Sequence, residues 1–65
     1  MENENTFNLF TDDRYGYDVS VWDHKGKVWL NLDANSNTND DVSQPLTAAQ
    51  ARELAAALLR FADRA

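Results

Sequence analysis

The densest run of groups able to hold a cation is Asp33 to Asp41, D-A-N-S-N-T-N-D-D. Asp33, Asn35, Asn37 and Asp41 fall at positions 1, 3, 5 and 9 of an EF-hand-like calcium loop. The match then breaks: Thr38 stands where that loop needs glycine, and Gln44 stands where it needs a bidentate glutamate. An extended run rather than a helix leads into it. A solvated polar loop is the better reading, with a calcium-binding module kept as a third-ranked expectation. His24 is the single histidine and lies in a turn, so one chain assembles neither a His-based metal cluster nor a triad. Cysteine is absent, which removes disulfides and thiolate zinc sites. Gly16 and Gly26 sit on different segments and form no phosphate-cradling loop. Carboxylates are plentiful, yet the pattern puts none in a cleft. No catalytic residue, cofactor or metal site is expected, and the chain does not read as an enzyme.

A different chemistry, apolar and aromatic recognition, is suggested by Phe10, Trp22 and Trp29 with Lys27 beside them. Their placement depends on three alternating segments. Thr6–Thr11 alternates, with Phe7, Leu9 and Thr11 on one face. Tyr15–Trp22 sets Tyr15, Tyr17, Val19 and Val21 together, and Lys27–Leu32 does the same for Val28, Leu30 and Leu32. Short polar turns, Asp12-Asp13-Arg14 and Asp23-His24-Lys25-Gly26, join them. This predicts a three-stranded antiparallel meander, with a type I turn at Asp23–Gly26. Pairing Trp22 with Lys27 aligns Val21 with Val28, Val19 with Leu30 and Tyr17 with Leu32. Pairing Thr11 with Tyr15 aligns Leu9 with Tyr17 and Phe7 with Val19. A one-residue slip would turn a strand over and mix the two faces. In this register Trp22 lies opposite Lys27, where the ammonium can sit over the ring. Phe10 lies opposite Gly16, and Trp29 opposite Ser20. The aromatic face could stabilise a thin sheet through cross-strand packing, or serve as an interface. The interface reading leads.

What covers the other face is the C-terminal stretch Leu46 to Ala65. Thr47 is the expected N-cap and Gln50, three residues on, completes a capping box. Pro45 stops the helix from running backwards. Ala51, Leu54, Ala55, Leu58, Ala62 and Ala65 then fall on one stripe, flanked by Leu59 and Phe61. The expected helix spans 47–64. Residues 33–45 read as a flexible Asn/Asp-rich loop and 1–5 as a frayed tail. The fold class is α+β, a single β-β-β-α domain over residues 1–65 with the helix packed on one face.

At 65 residues there is room for one small domain, marginal as a monomer. A homodimer is the expected remedy. The formal charge is −5, from eleven acidic and six basic residues. That disfavours binding to nucleic acid or anionic membrane, which needs clustered Lys and Arg. A stacking platform for single strands fails on the same ground, since Lys25 and Lys27 are nearly all the basic charge around the aromatic sheet face. The acidic start M-E-N-E-N is the reverse of a signal peptide, and no apolar run approaches a membrane span, so a cytoplasmic location is expected.

The segments Val28-Trp29-Leu30 and Leu46 to Leu59, L-T-A-A-Q-A-R-E-L-A-A-A-L-L, resemble small uncharacterised proteins of actinobacteria and their phages. In that group a Trp-containing hairpin precedes an L-T-x-x-Q-A-R-x-L-A-x-A-L helix. The resemblance implies a small accessory protein and brings no catalytic residues. The leading expectation is therefore a non-enzymatic module that binds itself or another protein through Phe10, Trp22, Lys27 and Trp29. The alternative is an acidic nucleic-acid mimic that inhibits a DNA-binding protein.

Overall fold

The computed structural model describes residues 6–35 and 41–65. The order of elements is β1 (Thr6–Leu9), β2 (Tyr17–His24), β3 (Lys27–Ala34), β4 (Asp41–Leu46) and α1 (Ala48–Ala62). The strands form one antiparallel sheet in the order β1-β2-β3-β4. The α+β arrangement of a meander followed by a helix stands, with four strands instead of three.

The extra strand comes from the segment expected to be a loop. β3 runs on to Ala34, and β4 pairs Leu46 with Val28, Gln44 with Leu30 and Val42 with Leu32. Val42, Gln44 and Leu46 alternate at period two, but only two of them are apolar. Pro45 argues against a central strand, and its presence here is explained by position, because β4 is an edge. Segments 1–5 and 36–40 lie outside the described residues, and with them the expected frayed tail and Asn37 and Thr38 of the calcium-loop comparison. Asp33 and Asp41 face each other across β3 and β4.

Both expected hairpin registers are corrected by two residues. His24 pairs with Lys27, Trp22 with Trp29, Val21 with Leu30 and Val19 with Leu32. The loop holds two residues, not four. Lys25 has φ 53° and Gly26 φ 79°, so both central residues are left-handed, as a type I′ turn requires. That turn matches the right-handed twist of its strands, whereas type I would splay them. On the first hairpin Leu9 pairs with Val19 and Phe7 with Val21. Residues 10–16 leave the ladder because they satisfy one another. The Asp13 carboxylate accepts from the Tyr15 amide at 3.1 Å. Thr11 donates its amide to Asp18 Oδ1 at 3.0 Å and its hydroxyl to the Tyr17 carbonyl at 3.0 Å. Asn35, just past β3, ties the loop down. Its amide donates to the Gly16 carbonyl at 3.0 Å, and its Nδ2 to the Asp13 carbonyl at 2.8 Å and Thr11 Oγ1 at 3.2 Å. A two-residue shift preserves which side each residue faces, so the division of the sheet into two faces holds.

The helix starts as expected. Thr47 Oγ1 accepts from the Gln50 amide at 3.1 Å, while Gln50 Oε1 accepts from the Thr47 amide at 3.0 Å. It ends at Ala62 with Asp63 as C-cap, two residues before the expected boundary. Thr47 is the single residue between β4 and α1. So short a joint fixes where the helix leaves the sheet. The α1 backbone comes closest to β3 and β4, while β1 and β2 share an apolar cleft with its inner face.

Candidate interaction surface

The observed register arranges one face of the sheet into three rows. Thr6, Trp22, Trp29 and Pro45 make the first, Asn8, Ser20, Asn31 and Ser43 the second, and Asp18, Asp33 and Asp41 the third. The second row is a hydrogen-bonded ladder. Ser20 Oγ donates to Asn8 Oδ1 at 2.8 Å, and Ser43 Oγ donates to Asn31 Oδ1 at 2.6 Å. Serine and asparagine suit this role because each is short and the hydroxyl can turn to its acceptor.

The four residues expected to form an aromatic interface are dispersed by this geometry. Trp22 and Trp29 are half-buried and directly opposite each other, correcting the expected pairing of Trp29 with Ser20. Lys27 stands across from His24, not Trp22. Phe10 is 71% exposed and lies beyond the end of β1, so it has no cross-strand position opposite Gly16. The tryptophans form a cross-strand pair at the turn end of a face that is otherwise polar. Trp29 Nε1 is out of contact with solvent and has no acceptor among the described residues.

The opposite face carries the larger apolar surface. Phe7, Val21 and Leu30 lie in one row, Leu9, Val19, Leu32 and Val42 in the next, and Val28 and Leu46 near the helix joint. Val42 falls in the segment expected to be a flexible loop, and Leu46 in the stretch expected to lead into the helix. The signal available for them was the period-two spacing of Val42, Gln44 and Leu46. α1 presents Ala51, Leu54, Ala55 and Leu58 toward this face but does not seal it. Between helix and sheet lies an apolar cleft of about 260 Å³, lined from the sheet by Phe7, Leu9, Val19, Val21, Val28, Leu30 and Leu46.

Not one described residue is buried. Phe7 is 60% exposed, Val42 61% and Leu58 62%. Leu59 and Phe61, beside the helix stripe, are also exposed. The Arg60 and Arg64 guanidinium groups lie 5.0 and 5.4 Å from the centre of the Phe61 ring, which puts cations around the apolar tip of the helix. Such an arrangement offers apolar area and shape. Groups of three or more His, Asp or Glu able to hold a metal ion are absent among the described residues, and no described helix is long and apolar enough to cross a membrane.

Comparison with protein-family models, curated proteins and solved structures finds no match.

Proposed function

We propose that this chain is a small protein-interaction module whose working surface is the open apolar layer between helix and sheet. One observation carries the reading: the apolar side chains that pattern predicts as a core are half-buried or exposed. Burying a large aliphatic or aromatic side chain is worth roughly 1.5–3 kcal/mol, and here most of that gain is still to be made. Large exposed apolar patches on soluble chains mark association surfaces. This moves the proposed interface from Phe10, Trp22, Lys27 and Trp29 to the other side of the sheet. The tryptophan pair then serves the sheet itself, by cross-strand packing. The resemblance of Leu46–Leu59 to small actinobacterial and phage proteins supports an accessory role of the same kind, without catalysis.

Site-specific photo-crosslinking tests the location. A crosslinking side chain at position 58 is expected to yield protein adducts in cells, and one at position 22 is not. Adducts from position 22 alone would return the interface to the tryptophan face, and adducts from neither would remove the proposal.

A second reading, the acidic nucleic-acid mimic, draws on Asp18, Asp33 and Asp41 standing abreast on the polar face. It predicts a DNA-binding partner whose affinity falls steeply with salt. Binding that ignores salt would remove it.

A further inference from the structure

Resting on the reading of the apolar layer as a docking surface, we infer that its occupant is a second copy of this chain, bound reciprocally. The C-terminal half of each helix covers the open sheet rows of the other copy.

The first argument is area. A folded chain of 7.4 kDa is expected to expose about 4,200 Å², and this one exposes 5613 Å². The excess is about 1,400 Å², whereas a standard interface removes about 800 Å² from each partner. One such interface fits within the excess and leaves room for the ten residues outside the described set.

The second argument is reciprocity. One chain carries both halves of a missing contact. Its helix has apolar surface outside the cleft, at Leu59 and Phe61, and Leu58 at the cleft is still exposed. Its sheet has apolar surface still exposed, at Phe7 and Leu9 along the cleft and at Val42 outside it. A two-fold interface needs this kind of pairing, in which patch i meets patch j and j meets i.

The third argument is charge. From residue 48 onward the chain has Arg52, Arg60 and Arg64 against Glu53 and Asp63, a net +1. Residues 1–47 hold nine acids and three bases, a net −6. The helix segment is therefore slightly cationic, and the apolar rows of the sheet carry no like charge that docking must overcome. The carboxylates of Asp18, Asp33 and Asp41 stay on the far side, so docking the two apolar layers buries none of these three.

Edge-to-edge pairing is the competing way to join two sheets, and both edges are blunted. β1 is four residues long and β4 carries Pro45. Face association is left.

The test uses the purified full chain. Sedimentation from micromolar to millimolar concentration should give twice 7.4 kDa. Isotope-filtered NOE spectra of a mixed-label sample should connect Leu59 and Phe61 of one copy to Leu9 and Val42 of the other. Leu58→Glu should raise the dissociation constant by at least about 30-fold, the effect of a dominant interface side chain. Val42→Glu, on an exposed strand position that leaves the helix intact, should act in the same direction. A monomer at every concentration that binds an apolar dye such as ANS overturns the second copy and leaves the docking surface to another protein. A monomer that binds no dye overturns both. A dimer unaffected by either glutamate but split by Trp22→Ala with Trp29→Ala also overturns this inference, and places self-association on the opposite face.

Discussion

Removing the helix cap tests whether α1 depends on association. In Thr47→Ala the Gln50 amide loses its 3.1 Å acceptor, while the return bond from the Thr47 amide to Gln50 Oε1, 3.0 Å, can persist. The site is exposed, so the freed amide turns to water and the loss stays near the usual value for a cap, about 1 kcal/mol. For a domain of this size that lowers Tm by roughly 4–8 °C. Concentration should modulate the effect. A 15-residue helix is marginal by itself in water, and none of its residues is buried against the sheet. Where copies are associated, the cap supplements tertiary support and ellipticity at 222 nm should barely change. On dilution the variant should lose helix before the wild type does. Thr47→Asp, which keeps an acceptor, should behave as wild type. Equal ellipticity and equal Tm for Thr47→Ala and wild type at every concentration would refute the reasoning, because the helix would then be held by something other than its cap and its partner.

Four further outcomes follow from particular contacts. Lys25 is a non-glycine residue at φ 53°, so Lys25→Asn should stabilise the β2–β3 hairpin by about 0.5–1 kcal/mol, read as a raised urea midpoint with unchanged m. A Cβ on Gly16 would lie 2.5 Å from Asp13 Oδ2, so Gly16→Ala should rotate Asp13 and deprive the Tyr15 amide of its acceptor. That costs about 1 kcal/mol by chemical denaturation, and less when made in Asp13→Ala. Asn35→Ala removes the two side-chain bonds that tie β3 to the first loop and should lower stability by about 1–2 kcal/mol in the same assay. Arg60→Glu with Arg64→Glu should weaken self-association several-fold at low salt and progressively less as salt is raised, measured by sedimentation.

The sequence made the face of each strand legible more readily than the register. Alternation at period two separates Val19 and Val21 from Ser20 and Trp22, and any shift by two residues leaves that separation unchanged. The discrimination lay in the Lys25-Gly26 turn and in the Asn8–Ser20 and Asn31–Ser43 pairs. These become visible only when side chains on neighbouring strands are set against each other. The helix boundary was legible because Thr47 and Gln50 satisfy local donors, and local bonds need no tertiary information. β4 was hidden for the opposite reason. Its Asp41, Ser43 and Gln44 are poor strand formers that pair because β3 is already there, and Pro45 is tolerated because nothing lies beyond it. Two tryptophans outweigh scattered valines and leucines when residues are counted one at a time, so the extent of exposed apolar surface on the helix-facing side of the sheet was not legible. The cleft depends on how far the helix reaches, which no single position encodes.

The one-residue joint at Thr47 divides the molecule into parts of unequal permanence. The central β2–β3 pair has ladder partners on both sides and is closed by a two-residue turn, so its amides should exchange with deuterium only on global opening. The helix is anchored at one end and its backbone lies closest to two of the four strands, so it can open as a separate cooperative unit. Its amides should exchange faster than those of β2 and β3 in dilute solution, and slow selectively as concentration rises. An exchange map over a dilution series would thus resolve two tiers in a chain of 65 residues, with the boundary at Thr47.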